Sequence, residues 1–332
     1  MTSAAFDVLG IGNAIVDVIT HADDSFLTKH ALVKGSMTLI DEARAETLYG
    51  AMGPGVEISG GSCGNTIAGV ASFGGKGAYI GKVRNDQLGT VFGHDLRATG
   101  VTFGTAQATE GPSTARCLIV VTPDAQRTMN TYLGACTRLG PADIDTALVA
   151  SAKVTYVEGY LWDPPEAKKA VLKAFDAAHA AGRKVSITLS DSFCVDRYRD
   201  EFRALICDKV DILFANESEI KSLYQVDSFE AALAAARAEN KICALTRSEK
   251  GSVVVTKSGV ESVPAAPIDR LVDATGAGDL FAAGFLFGLS RGKDHKTAAR
   301  LGGLAAAEVI QHIGARPETS LKSLAEQSGL RL

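Results

Sequence analysis

Asp273-Ala274-Thr275-Gly276-Ala277-Gly278-Asp279 runs without a break into the apolar, helix-forming stretch Leu280-Phe281-Ala282-Ala283-Gly284-Phe285-Leu286. Gly276 and Gly278 let successive backbone N–H groups turn toward one point, and the helix that follows adds the positive end of its dipole there. Such a turn holds an anion. Asp279 stands at its edge, placed to take a proton from a hydroxyl. An anion hole beside a carboxylate base is what phosphoryl transfer to an alcohol requires, with the N–H groups of Gly276, Ala277 and Gly278 facing the charge that develops on the transferred group. The same residues also read as a plain glycine turn followed by a helix-start acid favoured by the dipole.

A second glycine-rich element, Gly60-Gly61-Ser62-Cys63-Gly64-Asn65, opens a run of small residues over 66–75. As packing, it is a tight turn bringing a helix close to a sheet. As a site, the backbone of Gly60 and Gly61, the Ser62 hydroxyl and the Asn65 amide contact substrate hydroxyls. The chain contains no Gly-x-x-x-x-Gly-Lys-Ser/Thr stretch, which excludes a P-loop enzyme. Gly10-Ile11-Gly12-Asn13 begins like a dinucleotide fingerprint but lacks its third glycine. Asn13 and Asp17, at the exit of the first strand, are better clues. They can hydrogen-bond a diol, although both residue types also favour turns.

Composition narrows the class. The chain has 332 residues, 46% hydrophobic and 22% charged, as in an ordinary globular enzyme. A net charge of −4 leaves no basic footprint for nucleic acid or an anionic membrane. No apolar run approaches the ~20 residues that span a bilayer. The first residues lead directly into a strand without a basic segment and signal core, so a cytoplasmic location is expected. The six cysteines form neither Cys-x-x-Cys nor a zinc-spaced cluster and are read as reduced, buried thiols. Cys63 lies inside the candidate substrate loop but has no histidine near it in sequence.

Strand-like runs at 7–12, 77–81, 154–157, 185–189, 210–214 and 242–246 alternate with helix-like stretches at 62–73, 86–98, 141–150, 164–181, 196–206 and 229–239. That alternation predicts an α/β fold, a three-layer α-β-α domain with a mainly parallel sheet. Two regions break it. Residues 16–50 and 106–134 hold short strand-like pieces, such as Val16–Thr20, Thr114–Val121 and Arg127–Tyr132, which predict a small inserted sheet. The expected division is 1–15, 51–105 and 135–332 for the large domain, and 16–50 and 106–134 for the small one.

The two glycine elements, in this order, resemble the paired signatures of the ribokinase-like (PfkB) carbohydrate and nucleoside kinase family. The second matches Asp-Thr-x-Gly-Ala-Gly-Asp except for Ala274. Asn216-Glu217-Ser218-Glu219 fits the family's Asn-x-x-Glu motif, and the strand and turn around Thr246, Ser248 and Gly251 resemble its nucleotide side. The resemblance spans nearly the whole chain. It implies ATP and Mg²⁺, with the small sheet as a lid that excludes water from the reacting groups. Asp279 is then the general base. Asp273 and Thr275 match positions that hold a monovalent cation such as K⁺ in related kinases. Ala306, Ile310 and Gly314 resemble the adenine-side wall, and equally read as helix packing and a glycine stop.

Asn216 and Glu219 lie one helical turn apart and share a face. Glu219 is expected to order waters around Mg²⁺, or else to be a helix cap and surface acid. Arg127 lies in the lid. It either reaches phosphate on closure or is simply solvated.

Gly12-Asn13-Ala14-Ile15-Val16-Asp17, Tyr156–Tyr160, Leu189–Phe193 and Val210–Glu217 resemble the adenosine kinase branch. This implies phosphorylation of the adenosine 5′-hydroxyl to give AMP. Ile15, Met129, Leu161 and Phe193 are the expected nucleobase walls, with Phe193 stacking on the ring. Leu161 stands where that branch more often carries an aromatic residue. Other acceptors, namely inosine, guanosine or a sugar such as ribose, remain open, as does a nucleoside-binding regulator without turnover. The partners expected are small molecules, with the chain a monomer or homodimer.

Overall fold

A computed structural model describes residues 4–124 and 126–332. Residues 1–3 of the expected large domain and Ala125 of the expected lid turn lie outside the described residues. In chain order the strands are β1 (Phe6–Ile11), β2 (Ile15–His21), β3 (Met37–Leu39), β4 (Gly55–Ser59), β5 (Gly77–Ile80), β6 (Thr102–Phe103), β7 (Ala115–Val121), β8 (Arg127–Tyr132), β9 (Ala152–Glu158), β10 (Lys184–Thr188), β11 (Ile212–Asn216), β12 (Ile242–Thr246), β13 (Ser252–Thr256) and β14 (Gly259–Val263). They form a nine-stranded sheet in the order β14-β13-β12-β11-β10-β9-β1-β5-β6, and a five-stranded sheet in the order β3-β8-β7-β2-β4.

The larger sheet is parallel from β6 to β12 and ends in an antiparallel hairpin, β13–β14. Its central strands are buried on both faces, which is why they read as continuous apolar runs. In β1, Val8 packs into one core while Leu9 and Ile11 pack into the other. In β11, Ile212 and Phe214 face the first core and Leu213 the second. Helices cover each face and complete the three layers.

The small sheet also has two unlike faces. Val16, Val18 and Leu118 point into the main core beside Leu48 of the helix Glu42–Ala51. Ile15, Ile19, Cys117, Ile119, Val121 and Met129 form a separate apolar face with Ile313. Register puts Asp17 opposite Cys117, Ile19 opposite Ile119, and Ile119 opposite Met129, so Asp17 shares this second face.

Three expectations change in detail. The division at residue 50 placed Gly55–Ser59 in the large domain, but β4 pairs with β2 in the small sheet. The helix expected over 141–150 is a 3₁₀ turn, Pro141–Asp143, followed by a short helix, Thr146–Ala150. Asp145 is extended and caps the second piece through Ala147 and Leu148 N–H, so the chain restarts there. The helix expected over 196–206 starts earlier, at Ser192, because Asp191 caps it through Cys194 N–H.

One helix pair positions the site. The helix Ser62–Ser72 lies against the helix Ala277–Ser290, running in the same direction. A methyl added at Gly69 would sit 2.6 Å from Ala283 Cβ, so only glycine allows this approach. Further along, Phe73 stacks on Phe287 with centroids 5.2 Å apart. Both N-termini therefore end at the same place, and their dipoles add there.

Candidate active site

Asp279 lies in the first turn of Ala277–Ser290, facing the first turn of the neighbouring helix. The Ser62 hydroxyl donates to its Oδ1 at 2.7 Å, and the Asn65 amide donates to its Oδ2 at 3.0 Å. Burial raises its pKa above the ordinary value. The Asn65 and Ser62 hydrogen bonds and the nearby Arg316 charge pull the other way. The buried Asn65 Oδ1 has no hydrogen-bond partner among the described residues and remains free to accept from a hydroxyl.

The anion turn precedes this helix. Gly276 is its N-cap in the left-handed region, φ 81°, a conformation that glycine adopts without strain. Ala277 N–H turns back to Ala274 O at 3.3 Å, a long bond. Nothing stands within 4 Å of the position a Gly278 side chain would take, so that side of the turn is open.

Asp273 anchors the turn. Its Oδ1 accepts Thr275 N–H at 3.0 Å, its Oδ2 accepts Gly314 N–H at 3.0 Å, and the Arg127 guanidinium donates to Oδ2 as well. Burial disfavours its charge, but the Thr275 and Gly314 hydrogen bonds and the Arg127 charge outweigh it and hold the carboxyl below its ordinary range. Arg127 is thus neither solvated nor free in this conformation. The carboxylate oxygens assigned to a monovalent cation are occupied by N–H donors and a guanidinium.

The acceptor side is built from loops that touch. Gly61 has φ 82°, and a side chain on it would meet Asn13 O at 2.4 Å. Gly60 lies against the Asp17 carboxylate. Burial raises Asp17 to about 6, against the charges of Arg127 and Arg316 and with a further push from Asp279. Glu158, at the end of β9, was not singled out as a site residue. Its carboxylate is buried and accepts Asn13 N–H and Cys63 N–H, both at 2.9 Å, so it clamps the β1–β2 turn to the start of the Ser62–Ser72 helix. Burial lifts it to about 7, with those two N–H groups opposing. Cys63 is enclosed, and burial holds its thiol well above its ordinary pKa, which leaves it inert as a nucleophile.

Of the nucleobase candidates, Ile15 and Met129 sit on the partly open apolar face of the small sheet with Ile313. Phe193 is 74% exposed at the start of Ser192–Asp208, with the Arg197 guanidinium 5.7 Å from its ring centre. Leu161 is corrected: it has no exposed surface and packs in the core beside Trp162, so its side chain presents no wall to a ligand.

Asn216 and Glu219 form a reciprocal cap. Glu219 N–H donates to Asn216 Oδ1 at 2.9 Å, Asn216 N–H donates to Glu219 Oε2 at 2.9 Å, and the Asn216 amide donates to Oε1 at 2.5 Å. Glu219 is buried and raised to about 7 by that burial and by the charges of Asp191 and Asp279, against its bonds to Asn216. Asn216 thus occupies both oxygens of the Glu219 carboxylate.

Of the residues expected to meet the nucleotide, Thr246 ends β12. Ser248 and Gly251 shape the following turn, where Gly251 N–H donates to Ser248 O at 3.0 Å and Arg247 N–H to Gly251 O at 2.8 Å. The Ile310 carbonyl accepts Val272 N–H at 2.8 Å, tying the C-terminus of the helix His295–Val309 to the anion turn. Ala306 and Ile310 are partly exposed there.

A three-layer α/β domain with a second small sheet, and a carboxylate at a glycine anion turn, define a ribokinase-like kinase. The pfkB family carbohydrate kinase model matches residues 37–321, and the chain belongs to that family. It is a phosphotransferase of the kind that acts on nucleosides or sugars. It is 54% identical to the adenosine kinase structure from Sinorhizobium meliloti, covering 98% of this chain and 100% of that one with a TM-score of 0.90. It is 55% identical to the structure of a probable sugar kinase protein from Rhizobium etli CFN 42, covering 99% and 100% with a TM-score of 0.92. Adenosine kinase of Saccharomyces cerevisiae is 27% identical, over 92% of this chain and 94% of its own length. No helix among the described residues is long and apolar enough to cross a membrane.

Proposed function

We propose that this protein transfers the γ-phosphoryl group of ATP to the 5′-hydroxyl of adenosine. The observation that carries the reading is Asp279, held by Ser62 and Asn65 where two helix N-termini meet beside the Gly276–Gly278 turn. Asp279 takes the hydroxyl proton as the oxygen attacks. A carboxyl whose pKa is raised is a stronger base once ionised, which suits this role. The backbone of Gly276, Ala277 and Gly278 faces the charge on the transferred group. Asn13, Asp17 and the free Asn65 Oδ1 hold the ribose hydroxyls. Ile15 and Met129 form an apolar wall for the base, with Phe193 on the opposite side.

Mg²⁺ neutralises charge on the phosphates when bound. Among the described residues no cluster of three or more His, Cys, Asp or Glu side chains is set to hold a metal, and such an ion would keep several waters beside the phosphates. Glu219, fixed by Asn216, would order those waters. Arg127 moves from Asp273 to the phosphate as the lid closes. The nucleotide lies along Thr246, Ser248 and Gly251, with Ala306, Ile310 and Gly314 against its adenine. The relation to the S. meliloti and yeast adenosine kinases supports adenosine as acceptor.

A bare sugar is the second reading, favoured by the probable sugar kinase relative. It leaves the apolar face of Ile15, Met129 and Ile313 without a partner. An ATP-coupled assay with adenosine, inosine, guanosine and ribose separates the two. Adenosine is expected to give the highest kcat/KM, and turnover of ribose without adenosine overturns the assignment. Asp279→Asn is expected to bind adenosine but to form AMP at least ~10³-fold more slowly.

A further inference from the structure

Arg316 stands in the C-terminal segment just after Gly314 and belongs to none of the family signatures described above. Its guanidinium spans two elements. Nε and Nη2 donate to Ser59 O at 3.0 and 2.6 Å, Nη2 donates to Ser59 Oγ at 3.0 Å, and Nη1 donates to Gly64 O at 2.8 Å. Ser59 ends β4 of the lid, and Gly64 lies in the first turn of the Ser62–Ser72 helix. Between them run Gly60, which abuts Asp17, and Ser62, which donates to Asp279. Ser59 is buried, and its N–H donates at 2.8 Å to Asp95 Oδ2, so the far end of this bridge is fixed as well.

The same segment grips the anion turn. Gly314 N–H donates to Asp273, and Ala315 packs on Gly276 so closely that a Gly276 side chain would lie 2.7 Å from Ala315 Cβ. Residues 314–316 therefore join the phosphate side to the acceptor side. We propose that Arg316 is a positioning residue for phosphoryl transfer, strapping the acceptor loop 59–64 to the anion turn and keeping a fixed positive charge beside the catalytic carboxylate. Lysine cannot replace it, because a single ammonium does not span two carbonyls and a hydroxyl in a planar fork.

The charged and titratable groups around it come from several elements. Asp95 lies on the helix Gln87–Ala98, Asp17 on β2 and Asp279 on Ala277–Ser290, and each favours the Arg316 charge against burial, while the Tyr79 phenol on β5 is kept neutral by its own burial. Arg316 in turn favours ionisation of Asp17 and Asp279. The other acids that Asp279 repels, Glu158 and Glu219, lie on β9 and on the helix Glu217–Tyr224.

The inference rests on Asp279 as the base, and the test separates the two. The pH profile of kcat/KM is measured on the full chain with ATP and whichever acceptor turns over fastest. Wild type, Asp279→Asn, Arg316→Gln and Arg316→Lys are compared, each checked for a cooperative thermal transition. Arg316→Gln is expected to lose about 10–100-fold in kcat and to move the acid limb about one pH unit upward, because Asp279, and Asp17 with it, loses a stabilising cation. Arg316→Lys keeps the charge, so it is expected to keep the wild-type limb and still lose about tenfold in kcat as the fork is lost. A purely structural arginine lowers the melting temperature without moving the limb, and that result overturns the proposal. Wild-type kcat in Arg316→Lys overturns the strap by itself, including where the glutamine variant does not fold. If Asp279→Asn retains turnover, the base assignment fails; if it is inactive while both Arg316 variants match wild type, only the present inference fails.

Discussion

The Arg127 guanidinium on β8 donates to the Asp273 carboxylate at the start of the glycine turn, so the small sheet is tied directly to the residues that would receive phosphate. The two side chains are 7% and 8% exposed, so this is a buried pair. Removing one partner strands the other charge. Arg127→Met is expected to lower stability by about 3 kcal/mol, read as a fall in the urea midpoint at unchanged m. The double variant Arg127→Met, Asp273→Asn leaves no charge unpaired but loses one of the two N–H acceptors, so it is expected to recover part of that loss. Additive losses in the double-mutant cycle count against a coupled pair.

Glu158 predicts a pH dependence of stability. Its pKa rises from 4.5 to about 7 on folding, so between these values the folded chain binds more protons than the unfolded chain. Stability from this group therefore falls as pH rises through that window, by on the order of 3 kcal/mol in total. Below pH 4.5 the penalty is absent, and above pH 7 it is complete. Urea midpoints of wild type and Glu158→Gln measured from pH 4.5 to 8 check the sign. The glutamine variant is expected to lack this decline, although it loses one of the two N–H contacts and about 1–3 kcal/mol at low pH. An unchanged slope shows that Glu158 is ionised throughout.

Gly69 tests whether the helix pair sets the site. An added methyl there meets Ala283 Cβ at 2.6 Å and Leu280 Cδ1 at 2.8 Å. Gly69→Ala is expected to cost about 1–3 kcal/mol by overpacking. It also separates the two helix starts, so kcat is expected to fall more than KM rises. Ala283→Gly in the same chain restores the space, and its rescue of both melting temperature and kcat is the check. Rescue of stability alone means that helix spacing does not govern catalysis.

The central strands were legible because burial on both faces leaves continuous apolar runs such as Val154–Val157 and Ile212–Phe214, bounded by helical patterns. Glycine turns were legible because few other residues adopt the backbone of Gly61 and Gly276. β4 was not. Gly55-Val56-Glu57-Ile58-Ser59 is short and half-exposed, and only its pairing with β2 places it in the lid. Arg316 and Glu158 were hidden for another reason. Each acts through backbone groups distant in the chain, Ser59 and Gly64 for the first, Asn13 and Cys63 for the second. No spacing rule links such partners. Leu161 shows the opposite failure: position beside a resembling segment suggested a ligand wall, while its burial in the core made it packing.

Met129 and Leu161 give the sharpest contrast on the acceptor. Met129 shares the lid face with Ile15 and Ile313 and keeps some exposed surface, whereas Leu161 has none. Truncating a wall that touches only the base removes binding shared by ground and transition states. Met129→Ala is therefore expected to raise KM for adenosine about 10-fold, with kcat little changed, by losing roughly 1–2 kcal/mol of apolar contact. Ribose, which lacks a base, should respond less than twofold in kcat/KM, as an order-of-magnitude expectation from the same area argument. Leu161→Ala instead leaves a core cavity, expected to cost about 2–5 kcal/mol of stability with no selective change between adenosine and ribose. Steady-state kinetics with both acceptors, beside thermal melts, decide it. A selective adenosine defect in Leu161→Ala returns that residue to the base wall, and equal defects on both acceptors in Met129→Ala place the nucleobase elsewhere.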